Sequence, residues 1–486
     1  MRTLFTLALA FCFHIVSGQT FEKNFVLSNN LKGLEYGNAG IELSNGNYLI
    51  GVNNSVLCLS ASGDSLWKKT YANFGDILKI FRDNQGKLML ATTLGKMIIL
   101  EINESNGDSV ASFRPPGQFA NSGYIIYDVK LLADGDYILL YTNGGGNGAT
   151  ICRFVPKATT AKWSRDYAGQ NFAPRSILID DTCLVLPGYK GNITTNWMFD
   201  IHVAKISVNN VPIWTKTFVR NNSSYRDRLM GIQKNNSGNY IVACNWIVND
   251  RGCPAVFTLS PNGDSLSMSA YVAHGNESLN HGYAYSLERN GTNGFIAAGI
   301  INYNKKDPAN KTKGMGHLTV LKISEEGVIT QAVPFNNVGF FHYNTGYYDA
   351  AYAWGNGAFM TKDGNFLAYG VGNIVVPGSS PNSLETFYKS YVVKGKFSST
   401  GQMEVGNEKQ IVSIYPNPVS DKLFIKDENT IEHVKVYDMQ GKMVLQVMPS
   451  EINGGIDIRQ LPTAMYVITI VYKQGAQAHT QFVKID

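Results

Sequence analysis

One motif recurs through most of the chain and limits what it can fold into. It is an apolar-alternating strand, a tight turn on Gly, Asn or Asp, and a second such strand. It occurs as GIELSNGNYLIG around Gly46, ILKIFRDNQGKLMLA around Gly86, YDVKLLADGDYILLY at Gly135 and SILIDDTCLVLPG near Asp181. MGIQKNNSGNYIVA follows at Gly238, YSLERNGTNGFIAAG near Gly294 and GAFMTKDGNFLAYG at Gly364. Successive turns are 40, 49, 46, 57, 56 and 70 residues apart, so the hairpin is a repeat. A third strand follows each hairpin: SVLCLS, KMIILEI, ATICRF, DIHVAKI, AVFTLS, HLTVLKI and YVVKGKF. A fourth is clearest at Trp67, Trp163 and Trp214, which fall at matching places.

Four antiparallel strands at this period predict the blade of a β-propeller, and seven repeats predict seven blades. A four-stranded sheet cannot bury both faces alone, whereas sheets stacked radially bury both against neighbours. FEKNFV, from Phe21 to Val26, precedes the first hairpin and is a candidate outer strand for the seventh blade. A two-layer sandwich and an open solenoid are the competing readings. The 48 glycines, 12% aromatics and only 16% charged residues suit short strands joined by polar turns and exclude coiled coil and disorder. With 42 basic and 37 acidic residues, the net charge of +5 is too small to mark a nucleic-acid binder.

Met1-Arg2-Thr3, the apolar run Leu4 to Phe13 and the small residues before Gln19 read as a secretory signal peptide over 1–18. Cys12 follows bulky Phe11, which disfavours a lipoprotein site. No later stretch is apolar for long enough to predict a transmembrane segment. Five cysteines remain after cleavage, too few and too scattered for a disulfide scaffold, although Cys244 and Cys253 could close a short loop.

The propeller is expected to span 19–405, followed by a linker, GNEKQ, over 406–410. The last 76 residues hold several short strand-like runs after Tyr415-Pro416-Asn417-Pro418 and predict a small β-sandwich. The YPNP start, LFI strand, VYDMQGK hairpin at Gly441, LPTAMYVITI block around Tyr466 and terminal QFVKI together resemble the type A C-terminal sorting domain of type IX secretion cargo from Bacteroidetes. Ala464 departs from the Gly common there. The resemblance implies export through the type IX machinery to the medium or the cell surface. It also implies removal of this domain in many members, with attachment to surface lipopolysaccharide.

Chemistry is scarce by comparison. Gly63-Asp64-Ser65-Leu66 and Gly263-Asp264-Ser265-Leu266 spell a hydrolase string, with a variant at Asp108-Ser109-Val110. Their repetition between third and fourth strands points to turn chemistry instead. The same Asp-Ser-aliphatic triplets resemble O-glycosylation acceptors in Bacteroidetes, which makes Ser65, Ser109 and Ser265 candidate modified residues. ADGD (Ala133 to Asp136), KDGN (Lys362 to Asn365) and Asp180-Asp181 read as hairpin tips rather than calcium loops. NGGGNG, from Asn143 to Gly148, lacks the Lys of a phosphate loop. His202, His274, His281, His317 and His342 form no metal-ligand spacing, and no cofactor motif occurs. An aromatic-rich insert between the sixth and seventh hairpins carries the binding candidates Tyr343, Tyr347, Tyr348 and Trp354, unless these pack the core. A surface binding protein for a glycan or a protein is the first expectation. A glycoside hydrolase or lyase would need two converging carboxylates, for which Glu42, Asp128, Asp200 and Asp349 are candidates. A structural part of a surface assembly is the third.

Overall fold

Turn chemistry fixes the local structure first. At the first hairpin Leu43 N–H donates to Asn47 O at 2.8 Å and Gly46 N–H to Leu43 O at 3.1 Å, with Gly46 at φ +82°. This is a type I turn closed by a left-handed residue, a conformation in which a side chain is strained. The same pair of bonds recurs at Gly86, Gly135, Gly238 and Gly364. A second family, between third and fourth strands, repeats it at Gly63, Asn210, Gly263 and Gly327. With Asp181 and Gly294, all seven hairpin tips read from the sequence have positive φ.

The computed structural model describes residues 20–25, 27, 34–92, 97–116, 125–142, 149–191, 200–218, 231–248, 251–271, 273–274, 277–306, 312–335, 341–342, 348–349, 353–377, 384–397, 413–415, 419–426, 431–437, 443–448, 452, 454–472 and 477–484. The chain divides into two units, Met1–Glu404 and Val405–Asp486.

The first unit is all-β and built of antiparallel sheets of four principal strands. The first sheet orders Gly37–Glu42, Tyr48–Val52, Ser55–Leu59 and Ser65–Thr70. The second orders Ile77–Arg82, Leu88–Thr92, Ile98–Ile102 and Ser109–Phe113. The third orders Ile125–Leu131, Tyr137–Thr142, Thr150–Phe154 and Trp163–Asp166. In the fourth, Phe172–Pro174 and Leu178–Asp180 share the first place beside Cys183–Lys190, followed by Asp200–Ser207 and Pro212–Phe218. The fifth runs Gly231–Lys234, Tyr240–Val248, Arg251–Leu259 and Ser265–Ala270. In the sixth, Glu277–Ala284 and Glu288–Arg289 both pair Phe295–Lys306, followed by Thr312–Ile323 and Ile329–Phe335. The seventh runs Ala353–Met360, Phe366–Pro377 and Leu384–Gly395, and its fourth strand is Phe21–Phe25. That strand pairs antiparallel from Phe21 opposite Lys394 to Phe25 opposite Ser390.

Second and third strands of the first two sheets are buried at every position but Glu101, without alternation, because both faces are covered. Seven apolar clusters of the described residues account for this, each shared by two sheets. Leu49 and Val56 cluster with Ile80 and Leu90, then Ala91 and Ile99 with Val129 and Leu139. Ile138 and Ile151 cluster with Leu184 and Ile206, then Val185 and Val203 with Val242 and Leu259. Ile241 and Val256 cluster with Ala297 and Leu321, then Ile296 and Val320 with Ala368 and Val393. Finally Leu367 and Val392 of the seventh sheet cluster with Ile50 and Leu57 of the first.

The second unit has a three-stranded sheet, Ser413–Tyr415, Lys422–Lys426 and Ile456–Asp457. Its other sheet orders Met443–Val447, Ile431–Tyr437, Ala464–Tyr472 and Gln477–Lys484. Leu423, Ile456, Val434, Ile468 and Phe482 put residues of both sheets into one core.

Candidate functional site

First strands bring charges from separate sheets together. Asp128, on the third sheet, is 3% exposed and lies 3.5 Å from Lys79 of the second sheet and 3.8 Å from Lys130. Ser176 Oγ donates to it at 3.1 Å and Ile177 N–H at 2.9 Å, tying it to the fourth sheet. Burial works to raise its carboxyl, but Lys130, Lys79 and these two donors outweigh that and hold it below the ordinary value. Glu288 of the sixth sheet is solvent-exposed and accepts from Gln233 Nε2 at 3.3 Å, yet the protein around it raises its carboxyl, and Lys130 and Lys79 offset only part of the rise. Tyr369 of the seventh sheet is raised by burial and by Glu288. Its ring passes over Gly40, where a Cβ would stand 2.6 Å from Cε1, so only glycine leaves the path open. Side chains of the second, third, sixth and seventh sheets thus stand within electrostatic range of one another. Lys79 and Lys130 keep 42% and 37% of their side chains exposed there, so the cluster can offer ammonium groups to a ligand.

The other predicted carboxylates lie on other strands. Glu42 accepts Lys362 N–H at 2.9 Å, and Asp200 stands opposite Lys190 in the fourth sheet. Asp349 lies in a two-residue strand, Tyr348–Asp349, paired with Phe341–His342.

Of the predicted aromatic binders, Tyr343 and Tyr347 lie outside the described residues and Tyr348 is fixed only as part of that short strand. Trp354 is the second residue of the seventh sheet's first strand and packs in a trio, its ring 6.4 Å from Tyr36 and 5.5 Å from Tyr388. Burial raises the Tyr36 hydroxyl, with Tyr388 and Asp76 adding to the effect, and burial raises Asp76 itself.

The Asp-Ser triplets are turns that latch neighbouring sheets. Asp64 pairs with Lys23 at 2.9 Å, Asp108 with Lys69, and Asp264 with Lys216 at 2.6 Å. Two residues before each lysine, an aromatic ring covers the same turn: Phe21 over Gly63, Trp67 over Gly107 and Trp214 over Gly263. The third sheet repeats the device, with Trp163 Nε1 donating to Val208 O at 2.8 Å and Arg165 to Asn210 O at 2.7 Å. The aromatic-x-basic spacing on fourth strands was present in the sequence, but its partners lie on the next repeat. Ser65, Ser109 and Ser265 begin their strands with exposed side chains.

Several expected turn residues do more than turn. Asp136 takes Arg153 and Lys162, each at 2.6 Å, and Asp134 takes Arg153 at 2.5 Å, so ADGD is an ion-pair hub. Asp180 is not a hairpin tip: it is buried and accepts from Lys205 at 2.9 Å, Tyr240 at 2.6 Å and Lys234. Only Asp181 occupies the tip. Asn143 to Gly148 lies outside the described residues. His202 is buried, shares a 2.8 Å hydrogen bond with Thr217 and meets Phe172 edge-on, and burial with Lys190 pushes it down to about 4. His317 lies inside its strand rather than at its start, while His274, His281 and His342 fall in the strands Ala273–His274, Glu277–Ala284 and Phe341–His342. Cys244 faces Ala255 and Cys253 faces Trp246 in register, so the two cysteines are diagonal neighbours rather than a direct pair. Among the described residues no three His, Cys, Asp or Glu gather to hold a metal, and no helix is long and apolar enough to cross a membrane.

In the second unit Tyr415 stands opposite Phe424, while Pro416, Asn417, Pro418 and Gly441 lie outside the described residues. Tyr466 donates to Pro462 O at 2.8 Å and stacks on Phe482 at 5.5 Å. Ala464 opens its strand opposite Lys484 without a break.

Comparison with known proteins bears on this unit most. No curated protein matches the chain. Solved structures show a weak resemblance over the β-rich body. A protein of unknown function from Bacteroides caccae is 12% identical over 62% of this chain and 94% of its own, with a TM-score of 0.37. Virginiamycin B lyase from Staphylococcus aureus is 13% identical over 64% and 97%, with a TM-score of 0.36. The Dos1 propeller is 11% identical over 72% and 77%, with a TM-score of 0.39. Residues 413–484 match the family described as the secretion system C-terminal sorting domain. The chain thus carries a type IX sorting tail that its secretion machinery engages, and it is a secreted or surface-attached protein.

Proposed function

We propose that this is an extracellular binding protein whose residues 19–405 form a closed seven-bladed β-propeller, between a signal peptide at 1–18 and a linker at 406–410. Residues 411–486 form a small β-sandwich that directs export. The single observation that carries the architecture is the seventh apolar cluster, where Leu367 and Val392 meet Ile50 and Leu57. It joins the last sheet to the first, and Phe21–Phe25 completes the last sheet from the N-terminal side. Binding is favoured over catalysis because the donors around Asp128 are those of a structural ion pair, and a general base or nucleophile needs accessible lone pairs. The ligand is a glycan or a protein, with Tyr343, Tyr347, Tyr348 and Trp354 contributing. Ser65, Ser109 and Ser265 are proposed O-glycosylation sites, and attachment to surface lipopolysaccharide is proposed for the mature form.

Two other readings have specific support. Asp128 held low and Glu288 held high, within mutual electrostatic reach, is the arrangement a glycoside hydrolase or lyase uses for acid and base roles. Exposed Leu66, Val110, Ile213, Leu266 and Met268 on fourth strands would suit a structural component of a surface assembly. Glycan and protein arrays probed with the mature chain, paired with a reducing-sugar assay, separate these. The binding reading expects retained ligand without turnover; turnover abolished by Glu288→Gln would replace it with the hydrolase.

A further inference from the structure

A cavity of about 450 Å³ opens beside the second sheet, lined by Asn73, Phe74, Ile98, Ser112, Phe113 and Arg114. We propose that it binds an acidic saccharide, a pyranose ring bearing a carboxylate. Its volume falls within the range of about 300–1,000 Å³ usual for small-ligand sites.

The walls are aromatic and anchored. Phe74 packs against the core between the first and second sheets and meets Tyr71 edge-on at 6.1 Å. Phe113 packs against the core between the second and third sheets and meets Tyr137 edge-on at 5.5 Å. Each ring is held by a different junction, so both faces are ordered before a ligand arrives, which lowers the entropy lost on binding. Both rings are partly buried and keep some surface open to solvent for stacking.

The polar rim selects the ligand. Arg114 is exposed and forms no ion pair among the described residues, so its guanidinium fork is available for a carboxylate. Asn73 and Ser112 are exposed as well, and no hydrogen bond of the described residues occupies their side chains. An amide and a hydroxyl supply both donors and acceptors, which suits the hydroxyls of a sugar. A neutral sugar would leave Arg114 unused, and an aromatic acid would leave Asn73 and Ser112 unused. An acidic pyranose uses all of them.

This inference adds a site distinct from the aromatic one proposed above and rests on the same reading of the chain as a binding protein. The test is calorimetric titration of the intact chain with galacturonate di- and trisaccharides and with matched galactose oligosaccharides. The uronates should bind, the neutral series should bind at least about tenfold more weakly, and Arg114→Gln should weaken uronate binding by about tenfold or more. Arg114→Lys, which keeps the charge without the fork, should fall between. Because Arg114 is exposed, its variants should fold, and unchanged thermal unfolding would verify this. Equal binding of acidic and neutral sugars, uronate binding unaffected by Arg114→Gln, or no uronate binding at all would each overturn the proposal. Binding of another glycan on the array in that last case would keep the general role and remove only this ligand.

Discussion

Asp363→Asn tests the junction between the last and first sheets. Lys394 Nζ lies 2.7 Å from Asp363 and 3.2 Å from Ala61 O, and it stands 5.3 Å over the Tyr48 ring. Lys394 belongs to the seventh sheet, whereas Ala61 and Tyr48 belong to the first, so the ammonium is buried only if the two sheets meet. Its side chain is 1% exposed and that of Asp363 30%. Removing one partner of a buried pair costs about 3–5 kcal/mol, because the remaining charge is stranded away from water. Partial exposure of Asp363 argues for the low end, about 3 kcal/mol. For a unit of this size each kcal/mol moves Tm by roughly 1–2 °C, which gives a drop of roughly 3–6 °C. Burial acts to raise Asp363, but Lys394, Thr361 and the Asn365 amide outweigh it and hold it at about 2. Folded below unfolded means that its contribution is complete above the unfolded value of 3.8 and is lost as pH falls toward 2. The Asn variant should lack that acid limb. Asp363→Asn with Lys394→Met removes both charges and should recover most of the loss. Calorimetry of the three proteins at pH 7 decides it. A single variant within 1 °C of the parent, or a double variant no better than the single, would refute a buried charge at a closed junction.

His202 should make the first unit acid-sensitive. Its folded value of about 4, against 6.5 unfolded, means stability is complete above pH 6.5 and falls by about 3 kcal/mol as pH drops to 4; urea midpoints of the parent and His202→Gln should therefore converge over that window. Gly46→Ala meets only backbone strain, since nothing lies within 4 Å, and should cost about 1 kcal/mol, whereas Gly63→Ala also drives a Cβ to 2.6 Å from the Phe21 ring and should cost at least about 2 kcal/mol. Equal urea midpoints for the two would show that Phe21 does not sit on that turn. In the tail, Tyr466→Phe loses one hydrogen bond, about 1 kcal/mol, while Tyr466→Ala also loses the stack on Phe482, about 3 kcal/mol or more. Hydrogen exchange across Ala464–Tyr472 should rank the two variants in that order.

The repeat was legible because it is local. A hairpin writes its turn residue, its alternation and its strand lengths into some fifteen consecutive residues, and all seven tips fall where Gly46 to Gly364 placed them. Even the return of Phe21–Phe25 to the seventh sheet could be read, since FEKNFV is a strand-like run standing before the first hairpin. The charge cluster could not. Lys79, Asp128 and Glu288 are brought together by stacking of separate sheets, and strand alternation gives the face of a residue but not its neighbour across a junction. Asp180 shows the same limit: it reads as half of a turn pair, yet the fold buries it under Lys205, Lys234 and Tyr240. Trp67, Trp163 and Trp214 were visible as a repeat, but their purpose, covering or bonding the turn of the next sheet, depends on a partner about 40 residues away or more. The sorting tail was legible for a different reason, since several short motifs coincide within one stretch.

The most direct test of the account is the location and intact mass of the chain in its native cells, compared with a chain lacking residues 411–486. The full-length product should appear at the surface or in the medium, missing residues 1–18 and the tail, while the truncated chain should stay in the periplasm. A truncated chain that still reaches the surface, or a full-length product retained in the periplasm with its tail intact, would contradict export through the sorting domain.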